Sequence, residues 1–230
     1  MRTALTTEVT LASGALLRLS APPAELGPGL VVLGLGGSVA RPAAPRWSAS
    51  ITWLLQRLRR DLPALSYAEL RYRDRSWRAI GECMRDAREA LATLPARAEV
   101  ALLGFSMGGG IAIGCAGDPR VRGVIGLAPW VPDGIPLGGL RGKRLAVVHG
   151  SRDRYLPFLP GVPPEHSRRV LERAEAAGAS TSHLLIQGAV HAIAVRTPLG
   201  LRALPHAGRW TAAVESELRE LAGAPSLAVQ

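Results

Sequence analysis

Lysine is almost missing from this chain, cysteine occurs twice, and aromatic residues make up 4% of its 230 positions. Cys83 and Cys115 stand far apart with no CxxC or Cys/His cluster beside either, so neither a disulfide framework nor a zinc ligand set can be built. Nothing near the start resembles a signal peptide, because Glu8 and several threonines interrupt any apolar stretch, and a cytoplasmic location is the expectation. One uncharged run, residues 100–117, is long enough to imitate a membrane span, but six glycines and Ser106 break it into a short strand, a turn and a small-residue helix. No membrane association is expected.

Acidic residues are also scarce: 28 Lys+Arg face 18 Asp+Glu, for a formal net charge of +10. Such a balance invites a nucleic-acid reading. Lys143 is the single lysine, however, and the arginines are spread from Arg2 to Arg219, with short groups only at Arg57/Arg59/Arg60 and Arg71/Arg73/Arg75. A solvated, partly ion-paired surface is therefore expected, and no nucleic-acid partner. An apolar content of 47% with scattered Gly and Pro describes a folded globule and excludes collagen-like, disordered and coiled-coil chains.

No repeat, linker or low-complexity segment divides the sequence, which reads as a single domain over residues 1–230. Residues 8–12 and 15–20 flank Ser13-Gly14 as an antiparallel hairpin at a sheet edge. Residues 30–33, 67–72, 100–105, 123–127, 145–149 and 183–186 are apolar runs of the kind buried on both faces of a parallel sheet. Between them the helical period recurs, at Ile51, Leu54, Leu55, Leu58 and again from Ile80 to Leu94. Further helices are predicted after Ser106, over 165–177 and over 210–221. The predicted class is α/β: a mostly parallel eight-stranded sheet with helices on both faces.

Gly104-Phe105-Ser106-Met107-Gly108 matches G-x-S-x-G and lies directly after a strand and before a helix, where that motif lifts a serine hydroxyl above the sheet. Ser106 is the candidate nucleophile, and the N–H of Met107 is a candidate oxyanion donor at the positive helix end. After the strand 30–33, the glycine-rich loop from Gly34 to Ser38 offers further amides, with Leu35 as the second expected donor. A dinucleotide fingerprint fails there at Val39, and a phosphate loop at 138–143 fails because it leads into a strand. The serine needs a base and the base an acid. His191 follows the last predicted strand and is the expected base, whereas His149, His166, His183 and His206 read as structural. Asp153 is the favoured acid, with Asp133 as its competitor.

These residues resemble the α/β-hydrolase superfamily, in particular its small dienelactone-hydrolase-like or carboxylesterase-like members of actinobacterial type. The likeness spans the Gly34–Gly37 loop, Arg71-Tyr72-Arg73 with Trp77, the Ser106 motif, Leu127-Ala128-Pro129-Trp130, His149-Gly150-Ser151-Arg152-Asp153 and Val190-His191-Ala192. It implies a serine hydrolase of esters or thioesters, needing no metal or cofactor, with a Ser106–His191–Asp153 triad. Two departures stand out: Leu33 occupies the family's usual histidine position before Gly34, and serine replaces the cysteine of dienelactone hydrolases proper. Only residues 128–143 separate two strands where such enzymes insert a lid, so a capless, open cleft is expected, bordered by Leu35, Trp77, Trp130 and Tyr155, with Gly34 and Gly36 in its loop. A small or carrier-bound ester or thioester is the expected substrate. Acyl transfer, cyclisation or elimination on the same scaffold, and a catalytically retired binding module, are the competing readings.

Overall fold

The computed structural model describes residues 7–27, 29–38, 46–154 and 161–223. Strands β1 (Thr7–Thr10) and β2 (Leu16–Leu19) form the expected edge hairpin. They are followed by β3 (Leu30–Leu35), β4 (Ser66–Arg71), β5 (Glu99–Phe105), β6 (Val121–Leu127), β7 (Arg144–Gly150) and β8 (Ser180–Ile186). The eight pair in the order β1-β2-β4-β3-β5-β6-β7-β8, parallel from β4 to β8, with β2 antiparallel to β4.

Successive side chains of a strand point to opposite faces, and in β3 and β5 both sets are apolar. Val31, Leu33, Val100 and Leu102 join one buried cluster, packed by α2 (Ile80–Thr93), α3 (Met107–Gly114) and α4 (Pro164–Ala176). Leu30, Val32, Leu103 and Phe105 join the other, under α1 (Ala49–Asp61) and α5 (Ala207–Leu221), where Trp210 is wholly buried. Burying a large apolar side chain stabilises by about 1.5–3 kcal/mol, and this double layer makes the central strands rigid supports for whatever follows their ends. Ser48 caps α1 by accepting the Ile51 N–H.

The run 100–117 divides into β5, a turn and α3, and no helix of the described residues is long and apolar enough to cross a membrane. Residues 128–143 carry one short 3-10 helix, Gly138–Leu140, and no cap. Lys143 there donates to the carbonyls of Ala116 and Asp118. An additional two-stranded ribbon, β9 (Ala194–Thr197) with β10 (Gly200–Ala203), has no counterpart in the sequence reading. Its entry is pinned to α1, because Ile193 N–H donates to Ser50 Oγ at 3.2 Å. Several of the arginines expected on a wet surface are engaged: Arg73 pairs with Glu82 and Asp86, and Arg18 lies 4.0 Å over the Trp47 ring.

Candidate active site

The parallel strands β3 to β8 all end at one carboxyl edge of the sheet, and Ser106, Asp153 and His191 ride on the loops that follow β5, β7 and β8. Ser106 stands between β5 and α3 with φ 55° and ψ −121°, a conformation L-residues avoid unless the surroundings impose it. The imposition is steric. A Cβ on Gly104 would lie 2.3 Å from the Gly108 carbonyl oxygen, and one on Gly108 would lie 2.2 Å from the Leu35 carbonyl oxygen. Only glycine lets β5, α3 and the end of β3 approach this closely. The Ser106 backbone is tied to its neighbours by N–H donation to Leu127 O and by accepting from Trp130 N–H. As first residue of α3, Met107 has an N–H with no intrahelical acceptor.

The structure brings three of the sequence candidates into one chain of hydrogen bonds. His191 Nε2 lies 3.0 Å from Ser106 Oγ, and His191 Nδ1 lies 2.6 Å from Asp153 Oδ2. A carboxylate only accepts, so Nδ1 carries the hydrogen and Nε2 presents its lone pair to the serine hydroxyl. Asp153 is 0% exposed. Burial pushes its carboxyl up, but hydrogen bonds from His149 and His191 outweigh that and hold it below the usual range. Asp133, the competing acid, lies at the surface and pairs with Arg173 at 3.3 Å.

His149 contributes more than sequence reasoning assigned to it. It is the penultimate residue of β7 and wholly buried, with Nε2 3.1 Å from Asp153 Oδ2 and 2.7 Å from Val162 O. Both partners are acceptors, so Nε2 bears the hydrogen, and Nδ1 accepts from the Ser167 hydroxyl at 2.5 Å. Val162 N–H completes the support by donating to Asp153 Oδ1 at 2.9 Å. The recoverable signal was spacing: His149 and Asp153 flank the turn that ends β7.

A cavity of about 290 Å³ opens beside Ser106, walled by Ser38, Trp77, Phe105, Trp130, His166 and His191 among others. Trp77 and Trp130 both reach it, ring centroids 5.8 Å apart. His166, read as structural, stands in the first turn of α4 in the cavity wall and accepts the Val131 N–H on Nε2 at 2.9 Å. Burial, with Arg169, His149 and Arg173 nearby, holds its imidazole below the ordinary value. Nothing local in the sequence pairs Val131 with His166.

Other expected residues lie elsewhere. Strand β3 runs two residues further than read, which carries Leu35 into the core at 0% exposure and off the cavity wall. Gly34 packs against Ile51 and Leu55 of α1, and Gly36 against Ser48, so neither faces the cavity. From this loop it is Gly37 that meets Ser106, a Cβ there lying 3.0 Å from Ser106 Cβ, and Ser38 that lines the cavity. Tyr155 lies outside the described residues. His183 sits on β8, and His206 precedes α5.

No protein-family model matches the sequence, and no curated protein is similar to it at the level of sequence. Solved structures are. An α/β serine hydrolase homologue from Coxiella burnetii superposes with TM-score 0.61 at 17% identity, over 94% of this chain and 93% of that one. A dienelactone-hydrolase-like promiscuous phosphotriesterase from metagenomic libraries gives 0.64 at 18% identity, over 94% and 97%. An α/β serine hydrolase without lid from Xanthomonas campestris gives 0.62 at 15% identity, over 94% and 92%. The sheet order, the strained serine after β5 and these likenesses together establish that the chain has the α/β-hydrolase fold, without a separate cap.

Proposed function

We propose that the protein is a serine hydrolase that cleaves carboxylic esters or thioesters through an acyl-enzyme, without metal or cofactor. The observation that carries this reading is the continuous line Ser106 Oγ, His191, Asp153, set on a positive-φ turn at the start of α3. The serine hydrolases and esterases among the similar structures support it.

Ser106 gives its hydroxyl proton to His191 Nε2 as its oxygen bonds to the substrate carbonyl carbon. Asp153 stabilises the imidazolium that results, and the hydrogen bonds from His149 and His191 keep it ionised for that purpose against the opposing effect of its burial. The carbonyl oxygen becomes an anion next to the Met107 N–H and the positive end of α3. Collapse of the intermediate expels the alkoxide or thiolate, which takes the proton from Nε2. Water then gives a proton to Nε2 and attacks the acyl-enzyme; on collapse Ser106 regains its proton and the carboxylic acid leaves.

Two tryptophans and Phe105 make the cavity wall largely apolar, which suits an acyl group. With no cap above it, the cleft leaves room for a leaving group on a larger carrier. The test is an organophosphonate fluorescent probe with a screen of p-nitrophenyl and CoA esters of graded length. Labelling and turnover are expected for the wild type and neither for Ser106→Ala; equal labelling of both proteins removes the proposal.

A further inference from the structure

Leu35 does not reach the cavity, so the second amide for the oxyanion must come from another residue, and Arg75 indicates which. Its Nε and Nη2 donate to the same oxygen, Gly37 O, at 3.0 and 2.8 Å, and its Nη1 donates to Arg46 O at 2.9 Å. No carboxylate pairs with this guanidinium among the described residues. Its hydrogen bonds go instead to two main-chain carbonyls far from it in sequence.

The Gly37 carbonyl therefore has a fixed direction. The described chain contains no cis peptide, and in a trans peptide the carbonyl and the following N–H point opposite ways. With Gly37 O drawn toward Arg75, the Ser38 N–H is turned away from it. Gly37 packs on Ser106 on one side, and Ser38 shares the cavity wall with Ser106 and Met107. A cation on the carbonyl also polarises the peptide and makes its N–H a stronger donor.

We infer that Arg75 is a positioning residue that holds the 37–38 peptide so that the Ser38 N–H, beside that of Met107, receives the oxyanion. The inference rests on the hydrolase reading of Ser106. The segment bearing Arg75 is itself anchored: Cys83 Sγ donates to Asp74 O at 2.9 Å, and Ser76 N–H donates to Asp74 Oδ1 at 2.8 Å. Burial lowers the Arg75 guanidinium from its ordinary value, with Tyr72, Glu69 and Cys83 acting the other way, and arginine remains a cation under these conditions.

Removing one oxyanion donor in other hydrolases costs about 10²–10³ in kcat, and a displaced donor costs less. Arg75→Ala is therefore expected to lower kcat by roughly 10–100-fold with KM within about threefold. Affinity for a boronic acid, which mimics the tetrahedral intermediate, should fall by a similar factor. Guanidinium ion at tens of millimolar should restore part of kcat where equal NaCl does not. Arg75→Lys keeps charge but not the fork, and should fall between. If Arg75→Ala does not fold, Arg75→Lys is read the same way. An active wild type whose kcat and boronate affinity survive in the folded variant overturns this assignment alone. A wild type that turns over no ester or thioester and takes no phosphonate label overturns the hydrolase reading, and the assignment with it.

Discussion

His149 Nε2 lies 3.1 Å from Asp153 Oδ2, the same carboxylate oxygen that His191 Nδ1 approaches at 2.6 Å. One buried acid thus answers to two imidazoles, one reaching the serine and one enclosed behind the sheet edge. The two contributions oppose burial, which by itself would raise the carboxyl.

That balance sets the sign of a pH effect. In His149→Phe one lowering hydrogen bond is gone while burial continues to act, so the Asp153 carboxyl rises. A protonated Asp153 cannot stabilise the imidazolium. The acidic limb of kcat/KM is expected to move to higher pH in the variant, with the alkaline plateau less affected. A pH profile measured on wild type and variant checks this, and superimposable acidic limbs would count against the shared-acid account.

The choice of acid is open to direct comparison. Asp153→Ala is expected to lower kcat/KM by about 10³-fold or more, since the base loses its orienting partner. Asp133→Ala removes an exposed ion pair with Arg173 and should stay within about twofold. Comparable losses in both variants would contradict the assignment of Asp153.

Steric demand at the serine turn has its own measurement. Gly108→Ala drives a methyl group into the carbonyl oxygens of Leu35 and Gly36, and neither belongs to a movable side chain. A loss of about 1–3 kcal/mol in urea unfolding is expected, together with lower activity. Gly134→Ala meets no atom within 4 Å and serves as control, within about 0.5 kcal/mol of wild type. Equal stability of the two variants would remove the close-packing argument.

The two thiols should be silent in the native protein. Burial pushes Cys83 up to about 12 and Cys115 up to about 11, and both are enclosed. Thiolate is the reactive form, so a thiol reagent such as DTNB at pH 8 should find almost none until urea unfolds the chain, when both react. Rapid native labelling of either would show that the buried environment described for it is wrong.

Much of this architecture was legible because it is written in short-range pattern. Apolar runs and 3.6-residue spacing need only neighbouring residues to show, and the G-x-S-x-G turn declares both its strand and its helix within 16 residues of chain. The ribbon of β9 and β10 escaped notice because four-residue strands carrying Arg196 and Arg202 show little alternation. Leu35 was misplaced by a boundary two residues short, since Gly34 hides the continuing strand.

By itself the amino-acid order determined the layered α/β class, the serine at a strand-to-helix turn, and the short list of histidines and acids that could serve it. Tertiary structure alone placed Asp153 rather than Asp133 against His191, gave Asp153 a second imidazole, put His166 in the cavity wall, and ran the Arg75 guanidinium to a carbonyl 38 residues away. The reason is physical. Periodicity records which face of an element is buried, whereas a hydrogen bond between distant loops depends on the direction of single side chains once the sheet has set where those loops meet.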